Sequence, residues 1–389
     1  MKVLVTGAGI AGLTTAVALR RHGFDVDIHE ATAGFRDTGT GLGLACNATA
    51  ALAELGIDPT DGPTGSPLRR FSIHTPTGAT VRELPIQRIT AELNAPIVNI
   101  RRNDLIAVLR AAAPEVPIHW NSPLTGFRHD SAGVTATFGD GQTASGDVLI
   151  GADGIRSAVR AQLAGDEPLN EYGYVCWLAV IPYSHPSLTT GAARHYWGRG
   201  TRFGLIEIGG GQVYWWGTQS VGVAAARDWS GGKAGVAAVF AGWAPEVMEV
   251  IEQTPEEAIV VVPAQDRNFL SQWGDGRTTL IGDAAHPMLT SLSQGASSAI
   301  EDAVVLGHEL AVAPNPITGL RNYEKARHDR TKRLVADSRR LSRLEQLRNP
   351  VAVRLRDLAI QYTPMSILRR QNMQPMRFRL PGEVSTVSR

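Results

Sequence analysis

Met1 to Thr6 is a short apolar run with two valines, and it empties into Gly7-Ala8-Gly9-Ile10-Ala11-Gly12. A helical run, Leu13 to Arg21, follows. The first glycine lets the chain turn off a strand, and the second lets backbone approach a pyrophosphate with no Cβ in the way. The third lets helix and strand pack closely. The helix start then offers N–H groups and a positive dipole end to phosphate oxygens. After a second apolar strand, Asp25 to His29, stands Glu30. A carboxylate there accepts hydrogen bonds from both hydroxyls of an adenosine ribose and repels a 2′-phosphate. The stretch points to FAD or NAD.

Two more apolar runs end in glycine and aspartate. Asp147 to Ile150 leads into Gly151-Ala152-Asp153-Gly154-Ile155-Arg156-Ser157, with a helix from Ala158 to Ala164 after it. Asp153 reads either as a turn former or as an acid facing a ligand at the carboxyl end of a parallel strand. Thr278 to Ile281 leads into Gly282-Asp283-Ala284-Ala285-His286-Pro287. Asp283 can hydrogen-bond a polyol chain while its alanine neighbours admit a cofactor. His286, before a proline and at the cofactor rather than the substrate, reads as structural rather than as a base. Arg101-Arg102 opens a helix to Ala113 that Asn103 or Asp104 can cap. The two arginines suit a phosphate or flavin contact, or a solvated pair. The loop Gly34 to Gly43, holding Gly39, Gly41 and Gly43, reads as backbone held close to a ligand.

Loops of this kind need a parallel sheet to line them up at one edge. Around that sheet the chain reads as follows. A helix from Ala48 to Leu55 ends at Gly56, residues 57–68 form a surface loop, and Phe71 to Leu84 is a hairpin. Leu124 to His129 and Gly133 to Phe138, with a return strand after Gly139-Asp140-Gly141-Gln142, make further strands. From Tyr172 to about Val262 six of the eight tryptophans gather on alternating segments, including a hairpin about Gly209-Gly210-Gly211. This reads as an antiparallel sheet outside the nucleotide fold, its aromatic face either ordinary core or one wall of a pocket for a flat substrate. Arg321 to Arg348 is dense in Lys and Arg, spaced all round. It reads as a solvated helix packed on the main body, not a nucleic-acid or membrane arm. The last fifteen residues read as poorly ordered.

Composition narrows the class. The 389 residues are 43% hydrophobic with net charge +1, a globular protein of about two domains with no electrostatic case for nucleic acid. Two cysteines, Cys46 and Cys176, with no CxxC exclude a disulfide framework or a cysteine metal site, and no metal is expected. No secretory signal and no run long enough to span a bilayer is visible, so a cytoplasmic location is expected.

The three motifs, in this order and at these intervals, resemble the single-component FAD-dependent aromatic hydroxylases of the p-hydroxybenzoate hydroxylase type, over residues 1 to about 330. Phe240 to Pro245 and Glu301 to Leu306 are most similar to the urate and salicylate hydroxylase branch. The resemblance implies an α/β fold: a Rossmann-like FAD-binding domain (1–72, 96–170 and 270–330), an inserted, mostly antiparallel substrate domain (73–95 and 171–269), and C-terminal helices and tail (331–389). It implies that Gly7, Gly9, Ala11, Gly12 and Glu30 hold the ADP half of FAD. Arg102 and Asp283 would contact the pyrophosphate and ribityl region, and Asp153 would serve both FAD and passing NAD(P)H. Pro287 to Ala296, with Gly295, would lie along the isoalloxazine. The implied reaction takes NAD(P)H and O2 and hydroxylates a small-molecule aromatic through a flavin C4a-hydroperoxide. The protein is expected to be a monomer or homodimer.

The chain departs from the family pattern at two points. Where the loop usually carries its first glycine stands Ser293, so the backbone there is less free. The urate branch holds substrate with a sheet arginine and a loop acid. Arg202 matches the arginine, but the acid position is Ser291, which suggests a different aromatic. Arg202 would meet a carboxylate or enolate of that substrate, or is a surface strand arginine; Tyr214 and Trp216 are further pocket residues. Rival readings are a flavin-dependent halogenase or epoxidase on the same fold, and an NAD-dependent dehydrogenase. The dehydrogenase leaves the second and third motifs unexplained.

Overall fold

In the computed structural model, residues 1–35 and 39–380 are described. Part of the glycine-rich loop after Glu30 and the end of the tail lie outside them. β1 (Lys2–Thr6), β2 (Asp25–His29), β8 (Ile118–His119), β12 (Val148–Gly151) and β18 (Thr278–Leu280) form one parallel sheet in the order β18-β12-β1-β2-β8. Their Val, Leu and Ile runs are buried on both faces, which a parallel sheet requires. α1 (Ile10–Arg21), α4 (Arg102–Ala111) and α9 (Gly295–Val312) share its core, as does a three-stranded sheet of β9 (Leu124–His129), β10 (Val134–Phe138) and β11 (Thr143–Gly146). α5 (Ala158–Ala164) follows β12. All three motif loops therefore leave the carboxyl ends of neighbouring parallel strands.

The second sheet has seven strands. Its order is β17 (Val260–Asp266), β13 (Asn170–Pro182), β16 (Gln212–Ser220), β15 (Thr201–Gly209), β14 (Ala192–Trp197), β5 (Arg70–His74) and β6 (Thr80–Leu84). It joins the early hairpin to the tryptophan-rich segment. One face, with Trp177, Phe203 and Trp215, is core under α6 (Val223–Arg227), α7 (Gly232–Val239) and α8 (Pro245–Gln253). By strand alternation the opposite face carries Cys176, Leu178, His195, Arg202, Tyr214 and Trp216. It meets α2 (Cys46–Glu54), α3 (Ile86–Leu93) and a small sheet of β3 (Gly41–Leu44), β4 (Ser66–Pro67) and β7 (Val98–Arg101).

Four local expectations are corrected. The stretch 57–68 is not simply a surface loop, because it includes β4 and buries Pro59, Thr64 and Ser66. α4 starts at Arg102, with Arg101 as its N-cap residue, so neither Asn103 nor Asp104 caps it; Asp104 instead accepts from the Thr64 hydroxyl (2.7 Å). α10 (Pro316–Glu345), capped by Asn315, does bury a seam. Leu320, Tyr323, Arg327, Thr331, Leu334, Ser338, Ser342 and Glu345 recur at helical spacing, but most are polar, so no hydrophobic stripe shows. Finally, of the last fifteen residues the described ones, 375–380, carry structure. α11 (Pro350–Tyr362) leads to α12 (Met365–Met376), and Phe378 and Leu380 pack on the first core. Pro381 and the residues after it lie outside the described range.

Candidate active site

The first motif folds as its glycines require. Gly7 has φ +96°, open to glycine at little cost, and a Cβ at Gly12 would fall 1.9 Å from the Gly7 carbonyl oxygen. A Cβ at Gly9 would meet nothing within 4 Å, so that residue borders open space. No side chain caps α1 and its first turn holds no acid, which leaves the helix-start N–H groups facing that space. Glu30 lies beside the loop. The Ala8 N–H donates to its Oε2 (2.8 Å), and the Thr32 N–H (2.9 Å) and hydroxyl (3.0 Å) donate to Oε1.

The second and third loops close on the same place. A Cβ on Gly7 would lie 3.1 Å from the Asp153 Cα. Asp153 Oδ2 accepts from the Ala158 and Val159 N–H groups at the start of α5, while its other oxygen is buried without a partner; burial raises its pKa. Gly282 sits between Ala11 of α1 and Ala299 of α9, each Cβ 3.1 Å from where its own would be. The two helix starts thus flank the third loop. The Asp283 side chain is exposed, yet protein surrounds it, the situation of a carboxylate facing an internal cleft. Burial raises its pKa, and the charges of His286 and Arg102 oppose the rise. Burial lowers the Arg102 pKa against the nearby Asp283 and Glu30. A Cβ on Gly295 would lie 3.9 Å from Asp283 Oδ1, Ala296 follows in the first turn of α9, and Pro287 is buried. Ser293 is left-handed (φ +52°, ψ +34°), the conformation a glycine would take there.

A buried network that the sequence reading did not assemble fixes this loop from behind. His286 Nε2 meets Asp302 Oδ2 at 2.5 Å, the Gly282 N–H donates to the same oxygen (3.1 Å), and Arg327 donates to Oδ1 (2.6 Å). Glu301 takes Arg327 (2.5 Å), Arg330 and Asn47. Burial would raise the Asp302 pKa, but His286 and Arg327 hold it down at about 2. Arg160 donates to the Ala284 and Ala285 carbonyls, and burial lowers its own pKa to about 10. His286 is 1% exposed and committed to Asp302, which makes it a positioning residue.

Arg202 and Tyr214 lie on the inner face of the seven-stranded sheet, and Arg202 reaches the third loop through Glu345, which stands beside Ser291. Tyr214 is wedged against Gly41, where a Cβ would fall 2.5 Å from its ring. Trp216 lies directly on Gly204 and meets His195 edge-on at 4.9 Å. Arg202 is buried, not a surface arginine, with its guanidinium 4.9 Å from the Trp216 ring centroid. The carboxylate it meets is the protein's own, Glu345 at the end of α10 (2.5 Å, both side chains 4% exposed). Burial raises the Glu345 pKa and Arg202 opposes it; Ser291 stands beside this carboxylate without good hydrogen-bond geometry. An acid does stand beside Arg202, from a helix 143 residues on rather than from the loop. Burial, with Arg202 and His74, lowers the His195 pKa to about 3, so its imidazole is neutral at ordinary pH.

A glycine turn a Cβ would fill, two uncapped helix starts, an acid beside the turn and an interior carboxylate fit FAD, and together with the second sheet they define a flavoprotein fold. Residues 1–338 match the family model described as FAD binding domain, and the chain belongs to that family. It is 35% identical to the aurachin C monooxygenase/isomerase of Stigmatella aurantiaca over 361 residues, 92% of this chain and 93% of that one. It is 33% identical to the chloroplastic zeaxanthin epoxidase of Nicotiana plumbaginifolia, covering 84% of this chain but 52% of that longer protein. The crystal structure of Klebsiella pneumoniae HpxO with FAD and uric acid superposes with a TM-score of 0.90 at 27% identity, over 97% of this chain and 96% of that one. The chain is a FAD-dependent monooxygenase of the group A flavoprotein type, a class that takes NAD(P)H and O2.

Proposed function

We propose that this monooxygenase hydroxylates a flat aromatic that carries no carboxylate, bound against Tyr214, Trp216 and His195 with its polar edge toward Arg202 and Glu345. The observation that carries this reading is the Arg202–Glu345 ion pair: the wall's only buried cation among the described residues already has its counter-ion, so an anionic substrate would gain no net charge attraction. A neutral imidazole packed edge-on against an indole makes this wall aromatic rather than charged.

In this reading the N–H groups of Gly9 to Gly12 bind the pyrophosphate, Glu30 the ribose, and Arg102 and Asp283 the pyrophosphate and ribityl region. Asp153 serves FAD and NAD(P)H, and Pro287, Gly295 and Ala296 border the isoalloxazine. FAD, when bound, takes up reducing equivalents and activates O2 for transfer. The chain's own task is to orient the aromatic, keep water from the ring and hold the third loop rigid through Asp302. We place the enzyme in the cytoplasm, as a monomer or homodimer.

The zeaxanthin epoxidase relative supports a second outcome, oxygen transfer to an alkene. The experiment is anaerobic reduction of the FAD-loaded protein by NADH or NADPH in the presence of matched aromatics with and without a carboxylate. Faster flavin bleaching with the uncharged member supports the proposal; a preference for the carboxylate overturns it. Product analysis after aeration separates a phenol from an epoxide.

A further inference from the structure

We propose that the outer face formed by the end of α10, α11 and the start of α12 is a docking surface for an anionic membrane. Three observations converge there. First, α11 turns apolar side chains outward: Val351, Leu355 and Tyr362 are 66%, 63% and 73% exposed, and Leu358 shares their face at i, i+4, i+7 and i+11. Met365 and Ile367 of α12 and Leu344 of α10 are exposed beside them in sequence. Single exposed apolar residues are ordinary, but a helical stripe is not. Second, Arg354 of α11 is exposed next to the stripe in helical position, and Arg343, Arg348 and Arg370 are exposed on the segments just before and after it. The one acid on α11, Asp357, is held by Arg356 (2.8 Å). Third, charge is segregated. Residues 331–380 hold twelve Lys and Arg against three Asp and Glu, net +9, in a chain of net +1, so the first 330 residues are net −8; Arg339 and Arg369 pair with Asp266 and Glu92 of that earlier part, while Arg343, Arg348, Arg354 and Arg370 stay exposed.

An apolar stripe between cationic side chains is the pattern of a helix lying in a lipid interface, with arginines at headgroup level and the stripe in the acyl boundary. No described helix is long and apolar enough to cross a membrane, so the contact is peripheral. The same charge argues against pairing two copies face to face, which would bring two strongly cationic surfaces together. Nucleic acid would use the arginines but leave the apolar stripe without a partner. Leu344 stands immediately before Glu345, so the surface begins one residue from the Arg202 ion pair.

The test is flotation of the full-length, FAD-loaded protein with vesicles of phosphatidylcholine alone and of roughly three parts phosphatidylcholine to one of phosphatidylserine. The expected result is co-flotation with the anionic vesicles only, lost at high salt. Arg354→Glu should weaken it about fivefold or more, and Leu355→Asp with Tyr362→Asp should abolish it. Both variants should retain full flavin content and NAD(P)H oxidation, because these side chains are solvent-facing and outside the site. Failure to float with either vesicle at low salt overturns the proposal, as does flotation indifferent to Leu355→Asp/Tyr362→Asp. Light scattering that shows a dimer dissociated by the same double variant also overturns it, in favour of self-association.

Discussion

Gly12 and Ser293 are the two residues at which backbone geometry most directly constrains the first and third motif loops. At Gly12 any Cβ overlaps the Gly7 carbonyl oxygen, so Gly12→Val must push α1 away from the first loop. FAD retention after purification, read from the ratio of visible to ultraviolet absorbance, is expected to collapse; full flavin content in that variant would show that the loop does not hold the cofactor. At Ser293 the chain accepts a left-handed serine where glycine would carry no strain. Ser293→Gly is expected to be neutral or slightly stabilising. Ser293→Val, β-branched at positive φ, should cost about 1–3 kcal/mol, read as a lower melting temperature. Arg202→Ala should raise KM for the aromatic and leave the flavin bound; loss of flavin would detach Arg202 from the substrate wall. Glu345→Gln removes the counter-ion of a buried guanidinium, and the variant should gain affinity for aromatic carboxylates, read by perturbation of the flavin spectrum. These residues differ in how they could be found. Gly12 was legible because a glycine turn is a local pattern between a strand and a helix. Glu345 was not, because nothing near it in a Lys- and Arg-rich helix marks one acid as a partner for an arginine 143 positions earlier.

The third loop and the two helices behind it form the element-scale unit. Asp302 on α9 ties His286 and the Gly282 N–H of the loop to Arg327 on α10. Its pKa of about 2 lies below the value of an unfolded aspartate, near 3.9. A depressed carboxylate stabilises the fold above the unfolded value, and that contribution is lost as pH falls from about 4 through about 2. Asp302→Asn leaves the buried Arg327 guanidinium with one counter-ion fewer and His286 without its carboxylate partner. It should destabilise the protein by about 3–5 kcal/mol at neutral pH and flatten stability between about pH 4 and 2. Denaturant melts across that range check both; an unchanged midpoint would mean that the loop is held by packing alone. The sequence signalled this loop through Asp283 and its small neighbours but not its support. Hydropathy periodicity marks helices that bury apolar stripes, and α10 buries Arg327, Thr331, Ser338, Ser342 and Glu345, which read as a solvated surface. The same limit hid Arg160, whose guanidinium serves backbone carbonyls 124 residues away.

At the scale of the whole molecule, α10 joins the two sheets. Its first half touches the nucleotide sheet: the Tyr323 hydroxyl donates to the Leu280 carbonyl (3.0 Å) and Arg327 to Asp302. Its second half touches the seven-stranded sheet: the Ser342 hydroxyl meets the Tyr174 hydroxyl (3.1 Å) and Glu345 meets Arg202. A division at residue 330 therefore cuts through one continuous seam. α11 and α12 contribute less to that seam, burying chiefly Val353, Arg356 and Met373. Two truncations separate these roles. A chain ending at residue 330 leaves Arg202 buried without Glu345 and removes the contacts to Tyr174 and Leu289. An uncompensated buried charge alone costs about 3–5 kcal/mol, a large share of the roughly 5–15 kcal/mol that keeps a domain folded. This chain should be insoluble or colourless. A chain ending at residue 349 keeps the whole seam and should purify yellow, with a lower melting temperature because Phe378 and Leu380 no longer cover the parallel-sheet core and Met373 no longer fills the cluster under the second sheet. If the shorter chain folded and held flavin as well as the longer one, the seam of α10 would be dispensable, and the two sheets would have to be joined by the strand connections alone.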